Sequence, residues 1–321
     1  MHHGLAAFRT TFDKIDLYQR HHKRIGFLYA VIKKYQEDEA GRRSALFTYY
    51  GFLALFPFLL VLTSLLRLLL NGNSQISRHI MNGAITYFPI IGENLQLNIH
   101  SNKTGLVLVI ALLLSLFGAR GVADVLRNSL EHIWQVPHKE RSNFPGSIFR
   151  SLGIIVVGGL GLILAPVLAG YTLVFSDSIF FRFLSILISL IVLFWVLVFV
   201  IKMSLSVHRS LREVWVGAAV AAICLAILQS LGGYIVAREL RNLNDLYGTF
   251  AIILGMLYWI YLQAQVIFYV FELDSVRILR LWPRSMHKPF TNADYQAFQL
   301  YKDRAKFQDI VEPEQANQKL N

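Results

Sequence analysis

Two sets of polar side chains lie inside or beside long apolar runs, and any chemistry of this chain would reside there. The first is Arg120, Asp124, Arg127 and Glu131, spaced by three and four residues. At about 100° per residue these four fall within about 60° of one another on a helix, with Asn128 beside them. Val122, Val125, Leu126 and Ile133 take the opposite face. Such a ladder can neutralise itself through ion pairs one turn apart, or it can present an anion-binding or gating face at the cytoplasmic mouth of a cavity. The spacing allows both. The second set is Tyr258, Tyr261, Gln265, Tyr269 and Glu272, again on one face, with Tyr247 on the same line and Trp259 and Gln263 directed elsewhere. Acyl chains offer no hydrogen bonds, so this stripe is expected to face the bundle interior, as a seam between helices or as a water-lined path. If the two helices face each other near the cytoplasm, Glu272 is expected to meet Arg120 or Arg127.

Hydrolytic chemistry finds no such support. His2, His3, His21 and His22 sit in a basic tail, and His79, His100, His132, His138, His208 and His287 are scattered. A metal-dependent nuclease would need clustered His and Asp ligands. No HxH or HExxH pattern, phosphate-binding lysine loop, GxSxG elbow or GxGxxG fingerprint occurs. The single cysteine, Cys224, lies in an apolar run and excludes both an intramolecular disulfide and a Cys-based metal cluster. No catalytic residue, cofactor or metal ligand is assigned, and no enzyme activity is expected.

Composition dictates what positions these residues. Of the 321 residues, 55% are hydrophobic and 16% charged, whereas soluble domains carry about 25% charged residues. Crossing about 30 Å of hydrocarbon takes about 20 apolar residues. Six runs approach or exceed that length: Ala45–Leu66, Thr104–Ala119, Ser151–Phe175, Phe183–Ile201, Val214–Ala237 and Phe250–Phe271. The second is short, so the bilayer is expected to cover the start of the Arg120 ladder. The third and fourth leave room between them only for a tight turn. No signal-peptide pattern precedes Ala45, so the first span is expected to direct its own insertion.

Basic residues set the orientation, because cytoplasmic segments retain an excess of Lys and Arg. The N-terminal tail, Arg120 to Arg150, Lys202 to Arg212 and the C-terminal tail carry 25 of them; the alternate segments carry five, and Arg67 sits at the edge of the first span. The expected fold is all-α, a polytopic six-transmembrane-helix bundle in the bacterial cytoplasmic (inner) membrane with both termini cytoplasmic. Trp134, Trp215 and Trp282 fall near the cytoplasmic interface. The formal charge of +11 would suggest nucleic acid in a soluble domain. Topology accounts for it here, and no nucleic-acid partner is expected.

Three parts follow: a cytoplasmic amphipathic basic segment over 1–44, a six-helix transmembrane domain over 45–275 and a cytoplasmic tail over 276–321. Phe8, Phe12, Ile15 and Gln19, then Ile25, Leu28, Ile32 and Tyr35, recur at helical spacing among Arg9, Lys14, Arg20, Lys23, Arg24, Lys33 and Lys34. This pattern predicts two N-terminal amphipathic interfacial helices on the inner leaflet, with the lipid bilayer and its anionic lipids as partners. A helical hairpin away from lipid is the other reading. Gly161, Ala165 and Ala169, and Ala218, Ala222, Ala226 and Ser230, repeat every four residues and predict close helix packing. A homo-oligomer is compatible with the sequence without being required by it.

Several stretches together resemble the YihY/BrkB family of bacterial inner-membrane proteins. They are Ser44-Ala-Leu-Phe-Thr-Tyr-Tyr-Gly-Phe-Leu-Ala-Leu-Phe-Pro57, Phe88-Pro-Ile-Ile-Gly92, Gly118-Ala-Arg-Gly-Val-Ala-Asp124 and Tyr247-Gly-Thr-Phe. The resemblance runs from about residue 25 to about residue 280 and implies a six-helix inner-membrane protein. Family members usually close the last span with Gly-Ala-Glu; Val270-Phe271-Glu272 keeps the carboxylate without the small pair. Members carry the labels virulence factor and, historically, ribonuclease BN, and the histidine pattern lends the second no support. The polar stripes and the family's association with the envelope point to a transporter or lipid-handling protein. The alternative is a non-transporting membrane scaffold whose polar seams only hold the bundle together.

Overall fold

A computed structural model describes residues 14–70, 105–137, 141, 146–175, 179–207, 209–247, 249–286 and 290–302, and every regular element among them is a helix. Helix α1 covers 14–21, α2 Lys23–Glu37, α3 Ala40–Leu70, α4 Gly105–Ile133, α5 Gly146–Phe175, α6 Ile179–Ser204, α7 Leu211–Tyr247, α8 Thr249–Ile278 and α9 292–302. Each of the six apolar runs falls on one of the helices α3 to α8. A backbone in hydrocarbon must bond to itself, which is what a helix achieves. Among the described residues three stretches are long and apolar enough to cross a membrane: Ile186–Ser204, Leu211–Gln229 and Ile253–Ile278. The start of the expected first amphipathic helix, Phe8 and Phe12, and the turn between the third and fourth runs lie outside the described residues.

Helix α3 packs on α4 and α8, α5 on α6, α6 on α7, α7 on α8, and α2 crosses α8. The starts of α3, α5 and α7 meet the ends of α4, α6 and α8. Phe47 of α3 stands edge-on to Phe268 of α8 at 6.2 Å, Arg150 of α5 donates to the Leu205 carbonyl after α6, and Arg277 of α8 donates to the Glu213 carbonyl of α7. The helices therefore run up and down, and one end of the bundle gathers all of these termini together with α2.

Small residues set the closest approaches. A Cβ on Gly118 would lie 2.8 Å from Ala54 Cα, so α3 and α4 touch almost backbone to backbone there, and one on Gly121 would run into the Tyr50 ring. On α5, Gly161 is tight against Val196 of α6, whereas a Cβ on Gly158 or Gly159 would meet nothing within 4 Å. Ala218 and Ala222 of α7 are buried. The side chains of Ala165, Ala169 and Ser230 lie outside the described set.

The outer surface is as apolar as the core. Leu152, Val156 and Leu160 on α5, Ile191, Trp195 and Phe199 on α6, and Ile223, Ile227 and Leu231 on α7 form exposed rows four residues apart. Helices of a soluble domain turn charge outward at such positions; contiguous apolar surface on this scale suits acyl chains. Trp215 is exposed. Trp134 is buried, with the Arg209 guanidinium 5.2 Å from its ring centre.

Candidate functional site

The site begins with how α2 docks. Gly26, Ala30, Val31, Lys34 and Tyr35 form its buried face, and Ala30 and Val31 pack on Val276 of α8. Ile25, Leu28 and Ile32 occupy the exposed face. Seating the small residues on α8 drives Lys34, one turn further on, to the inside, where none of its surface is exposed.

The Lys34 ammonium donates to Glu272 Oε2 at 2.8 Å, to the Ile133 carbonyl at 2.8 Å and to Asp38 Oδ2. Ile133 is the last residue of α4, so the cation sits at the negative end of that helix. The Ser275 hydroxyl donates to the same carbonyl at 2.9 Å. Asp38 also accepts from Gln135 Nε2 at 3.3 Å, and His132 Nε2 lies 3.6 Å from it. Two buried carboxylates thus flank one ammonium, and Glu272 Oε1 has no hydrogen-bond partner among the described residues. Burial pulls the Lys34 pKa down, but Glu272 and Asp38 together outweigh it and hold the value above that of an ordinary lysine. The ammonium stays charged.

One residue further on, the Tyr35 hydroxyl bonds to Gln265 Oε1, and its ring stacks on Tyr269 at 3.9 Å with 5° between the planes. Helix α2 therefore lies across the last two turns of the α8 stripe. The rest of the stripe corrects the expectation that it faces the interior. Tyr258 is 49% exposed and Tyr261 half-buried, while Met256, Trp259, Ala264, Phe268 and Phe271 fill the core. The reason is bulk: turning these apolar side chains inward buries more apolar surface than turning the tyrosines inward would.

The ladder on α4 lies elsewhere. Asp124 accepts from the Ser151 hydroxyl of α5 at 2.7 Å and stands 3.7 Å from Arg120 and 3.9 Å from Arg127. The Arg120 side chain is 63% exposed, and Asn128 is exposed. Glu131 leaves the ladder; it is buried, accepts from the Ser206 hydroxyl and lies 3.8 Å from Arg141. Glu272 consequently pairs with Lys34, not with Arg120 or Arg127. Helices α4 and α8 meet chiefly at their ends, at Ile133 and Ser275, and the N-terminal segment supplies the nearer cation.

A second set of ion pairs pins α2 from below. Arg284 bonds both oxygens of Glu37 at 2.7 and 3.0 Å and Asp294 Oδ1 at 2.7 Å. Lys33 reaches Asp294 at 3.0 Å and the Ser285 carbonyl at 2.8 Å. Asp294 caps α9 reciprocally with Thr291. Its burial pushes the carboxyl pKa up, but the N–H groups of Thr291 and Ser285 and their hydroxyls overcome this and hold it well below the usual range. Lys33 and Lys34 are thus committed to carboxylates, while Lys14, Lys23 and Arg24 remain exposed. Sequence reasoning missed Lys34 and Asp38 because it counted the tail's cations as lipid-facing; their i,i+4 spacing was the available signal.

The arrangement is a charge latch. It can hold α2 across the end of α8, and it can release α2 only if a carboxylate is neutralised or the ammonium is rehydrated. Among the described residues no group of three His, Cys, Asp or Glu side chains could hold a metal ion. A family model described as Virulence factor BrkB matches residues 31–289, a stretch that contains Lys34, Asp38, His132 and Glu272. No curated protein and no solved structure matches the chain.

Proposed function

We propose a function from one premise: the chain belongs to the virulence factor BrkB family. It is a membrane protein, and our reading is a six-span transporter or lipid-handling protein of the bacterial inner membrane, with both termini cytoplasmic and α2 as its cytoplasmic gate. The up-and-down run of α3 to α8, the outward apolar rows and the 25 basic residues that the sequence gathers in four alternate segments support the topology. Exposed Ile25, Leu28 and Ile32 on α2, with Lys23 and Arg24, support contact with anionic inner-leaflet lipids. The reading includes no catalytic step and no nucleic acid.

The observation that carries transport over scaffolding is the buried Lys34, Asp38 and Glu272 cluster. Apolar side chains of similar volume often hold a helix at least as firmly as a buried ion pair, so stability alone does not call for one ammonium between two carboxylates. A gate gains a contact that local charge can undo. The α4 ladder, with Asp124 partly exposed between Arg120 and Arg127, is the receiving face for an anionic group at the same end.

The test uses the full chain in proteoliposomes with a panel of labelled phospholipids and small anions. Tyr35→Cys and Tyr269→Cys, on a Cys224→Ala background, are bridged by a short bis-methanethiosulfonate, each thiolate displacing methanesulfinate to form a disulfide. Flux of at least one panel member should be present unbridged, lost on bridging and restored on reduction. Absence of flux across the panel, or flux indifferent to the bridge, would leave the scaffold reading in its place.

A further inference from the structure

An open groove of about 420 Å³ runs along the outside of α6, lined among others by Val157 of α5, Trp195, Phe199 and Lys202 of α6, and Leu211 of α7. This is within the range of small-ligand sites, about 300–1,000 Å³. Trp195, Phe199 and Lys202 are four and three residues apart, so they share one face of α6 and span about 10 Å along it. The groove is therefore apolar over its length with one cation at its end. That end is also the end of the helix, two residues before Ser204.

Lys202 has no carboxylate partner among the described residues, unlike Lys33 and Lys34. Arg212, exposed next to Leu211, has none among them either. Nearby Arg209 is occupied by Glu213 and by the Trp134 ring. A half-buried lysine on a lipid-facing row costs free energy unless it reaches the interface or meets an anion.

We propose that this groove is a binding site for an anionic phospholipid, one acyl chain lying on Val157, Trp195 and Phe199 and the headgroup phosphate meeting Lys202 and Arg212. Free phosphate would leave the apolar length of the groove empty. A zwitterionic lipid would set its own ammonium against the second cation. The site is separate from the α2 latch and does not depend on transport.

Full-length protein is placed in symmetrical phosphatidylcholine nanodiscs containing a small, varied fraction of either brominated phosphatidylglycerol or brominated phosphatidylcholine. Bromine quenches tryptophan on contact, and the Trp195 signal is the difference between the wild type and Trp195→Phe. Phosphatidylglycerol should half-quench Trp195 at a mole fraction at least about fivefold lower than phosphatidylcholine, the ratio expected if only one of the two cations counts toward the anionic lipid. Lys202→Gln with Arg212→Gln should bring the two lipids together, and Val157→Phe, which fills the groove, leaves both cations and adds no indole, should weaken quenching by both. Equal quenching by the two lipids in the wild type, or a preference that survives loss of both cations in a monodisperse variant, would overturn the site. Neither result bears on flux, so the gate and the groove fail separately.

Discussion

Replacing Lys34 with methionine preserves most of the side chain's volume and removes its charge. Lys34 and Glu272 are both buried, with side chains 1% and 0% exposed, so the loss strands Glu272, whose second oxygen is already without a partner, while Asp38 keeps its bond from Gln135. Stranding one member of a buried pair costs about 3–5 kcal/mol. An independent bound comes from protonation: the stranded acid can escape by binding a proton, at about 1.4 kcal/mol for each pH unit above the ordinary glutamate value of about 4.3. At pH 7 that limit is about 3.7 kcal/mol, and at pH 5 about 1 kcal/mol. The sign follows from linkage: the variant's penalty vanishes where the unfolded glutamate is itself protonated and grows as pH rises above it. Denaturant unfolding of the full chain in detergent should show Lys34→Met destabilised by about 3–4 kcal/mol at pH 7 and by much less at pH 5. Adding Glu272→Gln should recover part of the loss. A change within about 1 kcal/mol at pH 7, the value of an exposed pair, would refute the buried latch.

Reporter fusions after residues 100, 178 and 244 should read periplasmic and those after 138, 208 and 300 cytoplasmic; one reversed reading sinks the six-span topology. Gly118→Ala puts a methyl 2.8 Å from Ala54 Cα and should cost about 1–3 kcal/mol through forced separation of α3 and α4. Gly158→Ala, whose Cβ meets nothing within 4 Å, should be neutral or stabilising by up to about 1 kcal/mol in the same melt. Asp294, held below the usual carboxylate range, contributes stability that is complete above the unfolded value of about 3.9 and lost as pH falls through the lower folded value. Proteolysis of the 284–302 segment should therefore stay constant from pH 7 to about pH 5, and Asp294→Asn should abolish that protection at every pH.

Local pattern carried as far as it has physical force. The apolar runs that fall on α3 to α8 could be read as helices because a long, unalternating apolar stretch satisfies its backbone within itself only as a helix. The Arg120, Asp124 and Arg127 spacing could be read because helical neighbours are fixed by geometry. Which way α8 turns could not. Its stripe of Tyr258, Tyr261 and Gln265 is interleaved with Trp259, Phe268 and Phe271, and the side buried depends on which neighbours accept the larger rings. The partner of Glu272 was illegible for a different reason. Lys34 looks like its neighbours Lys23 and Arg24 in sequence, and only the docking of Ala30 and Val31 on α8 turns it inward.

The contact between Lys34 and Glu272 spans 238 residues, which places a clock in the assembly of the protein. At about 5–20 residues per second of synthesis, Lys34 is made roughly 10–50 s before its acceptor exists. Throughout that interval Lys34 has only Asp38 and the Ile133 carbonyl to bond, and the α8 surface that receives Ala30 and Val31 does not yet exist. The first segment to be made is thus the last that can be fastened, and a chain truncated before α8 is left with its N-terminal helix loose for quality control to find.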